Sequence, residues 1–419
     1  MSRRTRDCRP IQPEILVVGV DVAKEKMVAR AVGGDGRTAK TLQFGCDAAG
    51  FEKLLGYAEK AARDLGASGF VAAMEPTGHY GEPLAAWLKG HGVEVYAVQP
   101  LKTSRAKELY DGTWRKTDEK DALVIADLCR RGLGSPWRVQ TGPFAALRVL
   151  TRRREQLVEQ RRQVVNRIHR HRDVLFPELR ALFPKLEGRA SRWVLRNVAT
   201  PAAVQAMGVE ALTDALHQES RGQLGRKRAE VMSEAAQRSV GVSEAGESHQ
   251  FALGQLLDEL EGVLARLKAV ERQMAAQLAA VPYAERLLTV PGFGPVIVAS
   301  LLGEFGDLRN YRVAGQLIKM AGLDLAESSS GERQGHHHIS RRGRPYARQL
   351  LFMAALTAGK VALAQRRQRL VEERAKPARV AAVANACALL RISHALVRDE
   401  QDFDPMRHAP KAAEVALAN

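Results

Sequence analysis

The chain begins in short apolar runs and ends in long periodic ones. Ile15 to Val20 is a continuous apolar stretch and predicts a buried strand. Lys26 to Val32 and Thr38 to Phe44 predict two more, and the Gly33-Gly34-Asp35-Gly36 cluster between them is a hairpin signal. Gly50 to Leu65 carries helical periodicity, Phe70 to Met74 and Val93 to Val98 are further buried strands, and Asp118 to Arg130 is a helix. From Gly142 to Tyr283 no strand signal occurs. Phe144 to Leu175 predicts one long helix rich in arginine: Arg148, Arg152, Arg153, Arg154, Arg161, Arg162, Arg167, Arg170 and Arg172. A second long helix carries Leu253, Leu257, Leu260, Leu264, Leu267, Met274 and Leu278 at steps of three and four, a heptad-like seam interrupted by Glu271. Pro184 to Glu247 is mixed and reads as helical. Ala284 to Pro405 reads as compact and mostly helical with Gly-rich turns, and Met406 to Asn419 as a tail.

An antiparallel start followed by βα units is the arrangement of an α/β RNase H-like (RuvC-like) domain. The predicted organisation is a basic tail (1–13), that domain (14–140), a long helical coiled-coil region (141–283), a mostly α-helical C-terminal domain (284–405) and a tail (406–419). The leucine seam serves either the chain's own core or a dimer interface.

Charge narrows the class. The 419 residues carry 64 Lys+Arg against 47 Asp+Glu, a formal net charge of +17, and the basic residues cluster. A polyanionic partner is implied, with nucleic acid first. A solvated charged face is the alternative for the arginine helix, but its acids are few. The four cysteines, Cys8, Cys46, Cys129 and Cys387, form no CxxC pair, so neither a disulfide framework nor a zinc site is signalled. The start, Met1 to Pro13, has no apolar core of a secretory signal, and no run of about 18 uncharged apolar residues is seen. A cytoplasmic location without membrane contact is expected. The low aromatic content, 5%, argues against recognition by base stacking on a sheet face.

Four carboxylates stand out. Asp21 directly follows the first strand and Glu75 directly follows the Phe70–Met74 strand, where open α/β sheets gather ligands. Asp118 and Asp121, at i and i+3, share one helix face. Each has a bland alternative: Asp21 in a turn, Glu75 in a loop before Pro76, Asp118 as a helix N-cap or following Thr117 in that role. Jointly, clustered carboxylates repel unless a cation compensates them, and Mg²⁺ or Mn²⁺ suits hard oxygen ligands. Two such ions roughly 4 Å apart serve phosphoryl transfer.

In the last third, Val290-Pro291-Gly292-Phe293-Gly294-Pro295 reads as a helix-hairpin-helix turn. Gly292 and Gly294 would let backbone N–H groups meet a DNA phosphate, though an ordinary Gly-rich interhelix turn has the same pattern. Arg341, Arg342, Arg344 and Arg348 lead into a helix starting near Pro345 and are candidates for phosphate contact. His336 to His338 cannot all face one ion from regular structure. Ser328-Ser329-Ser330-Gly331 on its own is most simply a loop.

Gly19-Val20-Asp21-Val22-Ala23-Lys24, Met74-Glu75-Pro76-Thr77-Gly78 and Lys116-Thr117-Asp118-Glu119-Lys120-Asp121-Ala122 occur in the order of the motifs of the insertion sequence 110 transposases and their 1111 subgroup. The chain resembles that family along nearly its whole length, with a longer middle region. The resemblance continues through Ala321-Gly322-Leu323, Ser330-Gly331 and Ile339-Ser340-Arg341-Arg342-Gly343. It implies a transposase or site-specific DNA recombinase that excises and inserts a mobile element. Asp21, Glu75, Asp118 and Asp121 would hold divalent metal, and the serine before the glycine, which maps to Ser330 with Ser328 and Ser329 beside it, would be the nucleophile. A composite site, assembly on DNA as a homo-oligomer (dimer or tetramer) and, for some members, a structured guide RNA are also implied. Two rivals stand beside this reading: a Holliday-junction nuclease using water, and a non-catalytic nucleic-acid-binding protein.

Overall fold

The computed structural model describes residues 10–76, 78–111, 117–326, 338–358 and 363–408. The chain divides into two compact units, Met1–Val139 and Gln140–Asn419.

The first unit is an α/β layer structure built on β1 (Ile15–Asp21), β2 (Lys26–Val32), β3 (Leu42–Gly45), β4 (Gly69–Met74), β5 (Val95–Ala97) and β6 (Ser135–Pro136). The six strands lie in the order β3-β2-β1-β4-β5-β6. β1 pairs antiparallel with β2 and parallel with β4, and β4 is parallel to β5. The predicted third strand is shorter than expected: Thr38 makes only an isolated bridge to Val32, and pairing resumes at Leu42. β6 is too short to carry a sequence signal.

The continuous apolar character of β1 follows from burial on both faces. Leu16, Val18 and Val20 pack against α1 (Ala48–Leu65) and α2 (Gly81–Gly90), through Phe51, Leu54 and Leu88 among others. On the other face Val17 and Ala73 meet Ala106 of α3 (Pro100–Asp111) and Val124, Ile125 and Leu128 of α4 (Asp118–Leu128). α1 starts where the Asp47 carboxylate accepts the Gly50 amide at 2.7 Å and stops at left-handed Gly66.

Among its described residues the second unit is helical apart from one two-stranded ribbon. α5 (Gly142–Leu175) is followed by α6 (Leu179–Leu182), α7 (Arg189–Asn197), α8 (Pro201–Ser220) and α9 (Arg226–Gln237), then α10 (Gly246–Ala279). Arg154 pairs with Glu271 and Arg167 with Glu259, so α5 and α10, each 34 residues, run antiparallel. The leucine seam is consumed within the chain. Leu253, Leu257 and Leu260 are buried against α5, α7, α8 and α9, and Met274 and Leu278 join the core that follows.

That core comprises α11 (Ala284–Leu288), α12 (Pro295–Phe305), α13 (Ala314–Ala321), α14 (Pro345–Ala358), α15 (Ala364–Gln368) and α16 (Ala378–Arg398), before the short α17 (Pro405–His408). The ribbon pairs β7 (Leu325–Ala326) with β8 (His338–Ile339). α16 is the one described helix long and apolar enough to cross a membrane, and 61% of its apolar window is buried inside the protein. Its burying residues, such as Ala386, Leu389 and Leu390, lie at the centre of the core.

Candidate active site

Sheet register brings the first two carboxylates together. Val20 is the cross-strand partner of Met74 in the parallel β1–β4 pair, so Asp21 and Glu75 are side by side at the same sheet edge. Asp21, like Val17 and Gly19, belongs to the β1 face covered by α4. The approach of that helix depends on Gly19: a Cβ there would stand 2.1 Å from Ala122 O and 2.6 Å from Ala126 N. With Ala122 over Gly19, the preceding turn of α4, carrying Asp118 and Asp121, reaches the end of β1. Thr117 is the N-cap, its hydroxyl accepting the Lys120 amide at 3.3 Å, which leaves the Asp118 side chain out of the capping role.

The electrostatics follow from this placement. Burial, then the charges of Asp121 and Asp118, and more weakly Glu75, raise the Asp21 carboxyl to about 6, against a lowering by Lys107. Asp121 is 4% exposed, and its Oδ1 is buried without a hydrogen-bond partner. Two further side chains, from α3, complete the cluster. Lys107 Nζ lies 2.6 Å from Asp121 Oδ2, and the Thr103 hydroxyl donates to Glu75 Oε1. Neither residue figured in the sequence reading. They lie four apart, one helical turn, on a helix recognisable in the sequence by no strong amphipathic pattern.

Among the described residues, no three His, Cys, Asp or Glu side chains stand in a ready-made ligand set. The cluster nevertheless fits a hard cation. Its donors are all carboxylate oxygens, one of them buried and unpaired, and a lysine ammonium supplies the compensating charge.

The basic residues separate into different environments. Arg152 bridges Glu155 and Glu304, Arg161 faces Glu187 and Arg162 holds Glu159, so these side chains already have carboxylate partners. Arg153 is exposed and contacts only Gln156, at 3.3 Å, among the described contacts. Arg172 is 1% exposed and belongs to the core beside Asp173. Glu304 is fully buried on α12, where a Cβ at Gly303 would lie 2.7 Å from Leu147 O of α5. That close crossing is what sets Glu304 against Arg152.

Gly292 takes φ 91° in the turn between α11 and α12, and Gly294 is the N-cap of α12 with Pro295 in its first turn. Two helices, α11 and α12, thus flank this turn. Arg341 and Arg342 are exposed, Arg344 is half-buried, and α14 begins at Pro345. Ser328, Ser329, Ser330, His336 and His337 lie outside the described residues; His338 is on β8.

Acidic side chains thus lie at the end of a mixed sheet, in a chain with a large basic excess. Residues 18–177 match a transposase family model of the DEDD, IS110 type, and residues 284–370 match the transposase model of the IS116/IS110/IS902 family. The chain is 30% identical over 352 residues to the insertion element IS116 44.8 kDa protein of Streptomyces clavuligerus, covering 81% of this chain and 84% of that one. It is 28% identical over 267 residues to the insertion element IS110 43.6 kDa protein of Streptomyces coelicolor, covering 63% and 65%. A shorter match, 32% over 90 residues, is to the transposase for insertion sequence element IS1328 of Yersinia enterocolitica, covering 22% and 27%. The chain belongs to the IS110 family of transposases. It is a DNA transposase, and DNA is its partner.

Proposed function

We propose that Asp21, Glu75, Asp118 and Asp121 form the acidic centre of an RNase H-like domain that breaks and rejoins DNA strands, and that Ser330 is the nucleophile. The observation that supports this reading is the register of β1 and β4, which sets Asp21 beside Glu75, together with the seating of α4 on Gly19, which brings the turn carrying Asp118 and Asp121 toward the end of β1. Mg²⁺ or Mn²⁺ held by these four would supply charge neutralisation for the phosphoryl oxygens during strand transfer. Thr103 fixes the Glu75 carboxylate by donating to it, and Lys107 balances Asp121. The serine oxygen forms a bond to phosphorus as the bond to the leaving DNA oxygen breaks, and that oxygen departs as a hydroxyl. Reversal with another strand's hydroxyl frees the serine, so rejoining needs no external energy source.

The domain limits 14–140, 141–283 and 284–405 belong to this proposal. So do phosphate contacts from Arg153, the α12 start at Gly292 and Gly294, and Arg341, Arg342 and Arg344. A homo-oligomer and a structured guide RNA complete it, the RNA being tested by sequencing nucleic acid that survives DNase and co-purifies with the chain.

The decisive experiment incubates the protein and Mg²⁺ with a donor DNA and looks for a protein–DNA adduct that survives denaturation. The unaltered chain gives the adduct, Ser330→Ala gives none while Ser328→Ala and Ser329→Ala retain it, and Asp21→Asn gives neither adduct nor cleavage. Cleavage at the normal rate by Ser330→Ala would replace this mechanism with water attack by the same carboxylates.

A further inference from the structure

Leu323 after α13, β8, α14 and the start of α16 line a groove of about 430 Å³ in the second unit. Its floor is apolar: Leu323, Ile339, Phe352 and Val383. Its rim carries Arg341, Arg348 and Arg379, and among the described lining residues none is Asp or Glu. Two of the arginines are set in place by the local backbone. Arg348 Nη1 donates to Ala321 O at 3.0 Å, at the end of α13. Arg341 holds a left-handed φ of 54°, a conformation that a non-glycine residue adopts against steric cost, and its amide donates to Gly322 O at 3.1 Å. Gly322 allows this contact, because a Cβ there would stand 2.9 Å from Arg341 C and 2.9 Å from Arg348 Nη1.

We propose that this groove binds one unstacked nucleotide of a DNA strand, its phosphate on the arginine rim and its base against Phe352. A rim of arginines alone would serve any phosphate. The apolar floor asks for more: a ligand with a flat apolar face beside an anionic group. A paired duplex hides the faces of its bases in the stack, whereas an unpaired nucleotide offers face and phosphate together. The size lies within the range of small-molecule sites. The inference rests on the transposase reading for its DNA and not on the identity of the nucleophile.

The test measures binding of the full chain, in EDTA, to a single-stranded oligodeoxynucleotide by fluorescence anisotropy. Companion strands carry one abasic site, moved along the sequence, so that charge is constant and one base is missing. The intact strand binds about tenfold more tightly than the strand abasic at the occupied position. Phe352→Ala binds those two equally, and Arg379→Gln weakens both. Should the alanine variant fail to fold, Phe352→Leu keeps the packing without the ring face and likewise equalises them. Absence of strand binding, indifference to every abasic position, or a difference that persists without the ring overturns the proposal. Ser330→Ala, which removes the proposed chemistry, leaves this binding pattern unchanged.

Discussion

Lys107 Nζ lies 2.6 Å from Asp121 Oδ2, an ammonium set within a cluster of carboxylates. Asp121 is almost fully buried and its second oxygen has no partner, so this lysine is its main compensation. Lys107→Met is expected to destabilise the protein in EDTA by about 1–3 kcal/mol, the cost of leaving a buried charged group unpaired. The same variant should gain more thermal stability from Mg²⁺ or Mn²⁺ than the unaltered chain, because the added cation then replaces the missing one. Melting curves with and without metal read both effects. Equal metal-induced shifts in the two proteins would show that the ammonium and the cation do not share a task.

Gly19 is the second element on which the cluster depends. Any side chain there meets the backbone of α4, with a Cβ 2.1 Å from Ala122 O, and backbone cannot swing aside as a side chain can. Gly19→Ala should cost about 1–3 kcal/mol by overpacking and push Asp118 and Asp121 away from Asp21. Urea unfolding gives the stability change, and strand cleavage should fall by more than the unfolded fraction accounts for. Retention of full cleavage would mean that α4 need not lie so close.

Much of this arrangement is legible in the sequence, for reasons that can be named. Strand ends locate Asp21 and Glu75, and helical spacing pairs Asp118 with Asp121, because both periodicities are local. Which strands become neighbours is a tertiary matter, yet the antiparallel start followed by βα units narrows it enough. Thr103 and Lys107 escaped because their partners are more than a dozen residues away and α3 shows no apolar stripe. Arg172 shows the opposite failure. Counting charges along α5 treats all its arginines alike, whereas the fold buries this one and pairs Arg152, Arg154, Arg161, Arg162 and Arg167 with carboxylates, two of them on α10. The leucine seam was open between core and dimer until the antiparallel packing of α5 and α10 used it.

Glu304 gives the second unit a pH dependence. Burial lifts its carboxyl above the ordinary 4.5, against the pull of Arg152, Arg344 and Arg148 and with a small push from Glu155. A carboxyl whose folded pKa is raised binds protons more tightly when folded. Its contribution to stability is therefore complete below 4.5 and is lost as pH rises through the folded value. Glu304→Gln removes that titration. The stability of the unaltered chain relative to the variant should decline from about pH 4.5 upward and level off above the folded pKa. Urea midpoints across that range test it, and a difference that grew with pH would show that the ion pair with Arg152 outweighs burial.

The two environments of arginine on α5 make opposite predictions for DNA binding. Arg153 is exposed, with no carboxylate partner among the described contacts, so it is available to phosphate. Arg172 is buried, with both Nε and Nη2 directed to Asp173 Oδ1 at 2.8 and 2.5 Å. Each phosphate contact releases condensed counterions, so the slope of log affinity against log salt counts such contacts. Arg153→Gln should weaken DNA binding at every sequence and reduce that slope by about one. Arg172→Met keeps the bulk of the buried stem and should leave the slope unchanged, with a stability cost of about 1–2 kcal/mol. Salt titrations of binding to one duplex, run beside urea unfolding, separate the two. A slope change at Arg172 without loss of stability would mean that this helix opens to expose it on DNA.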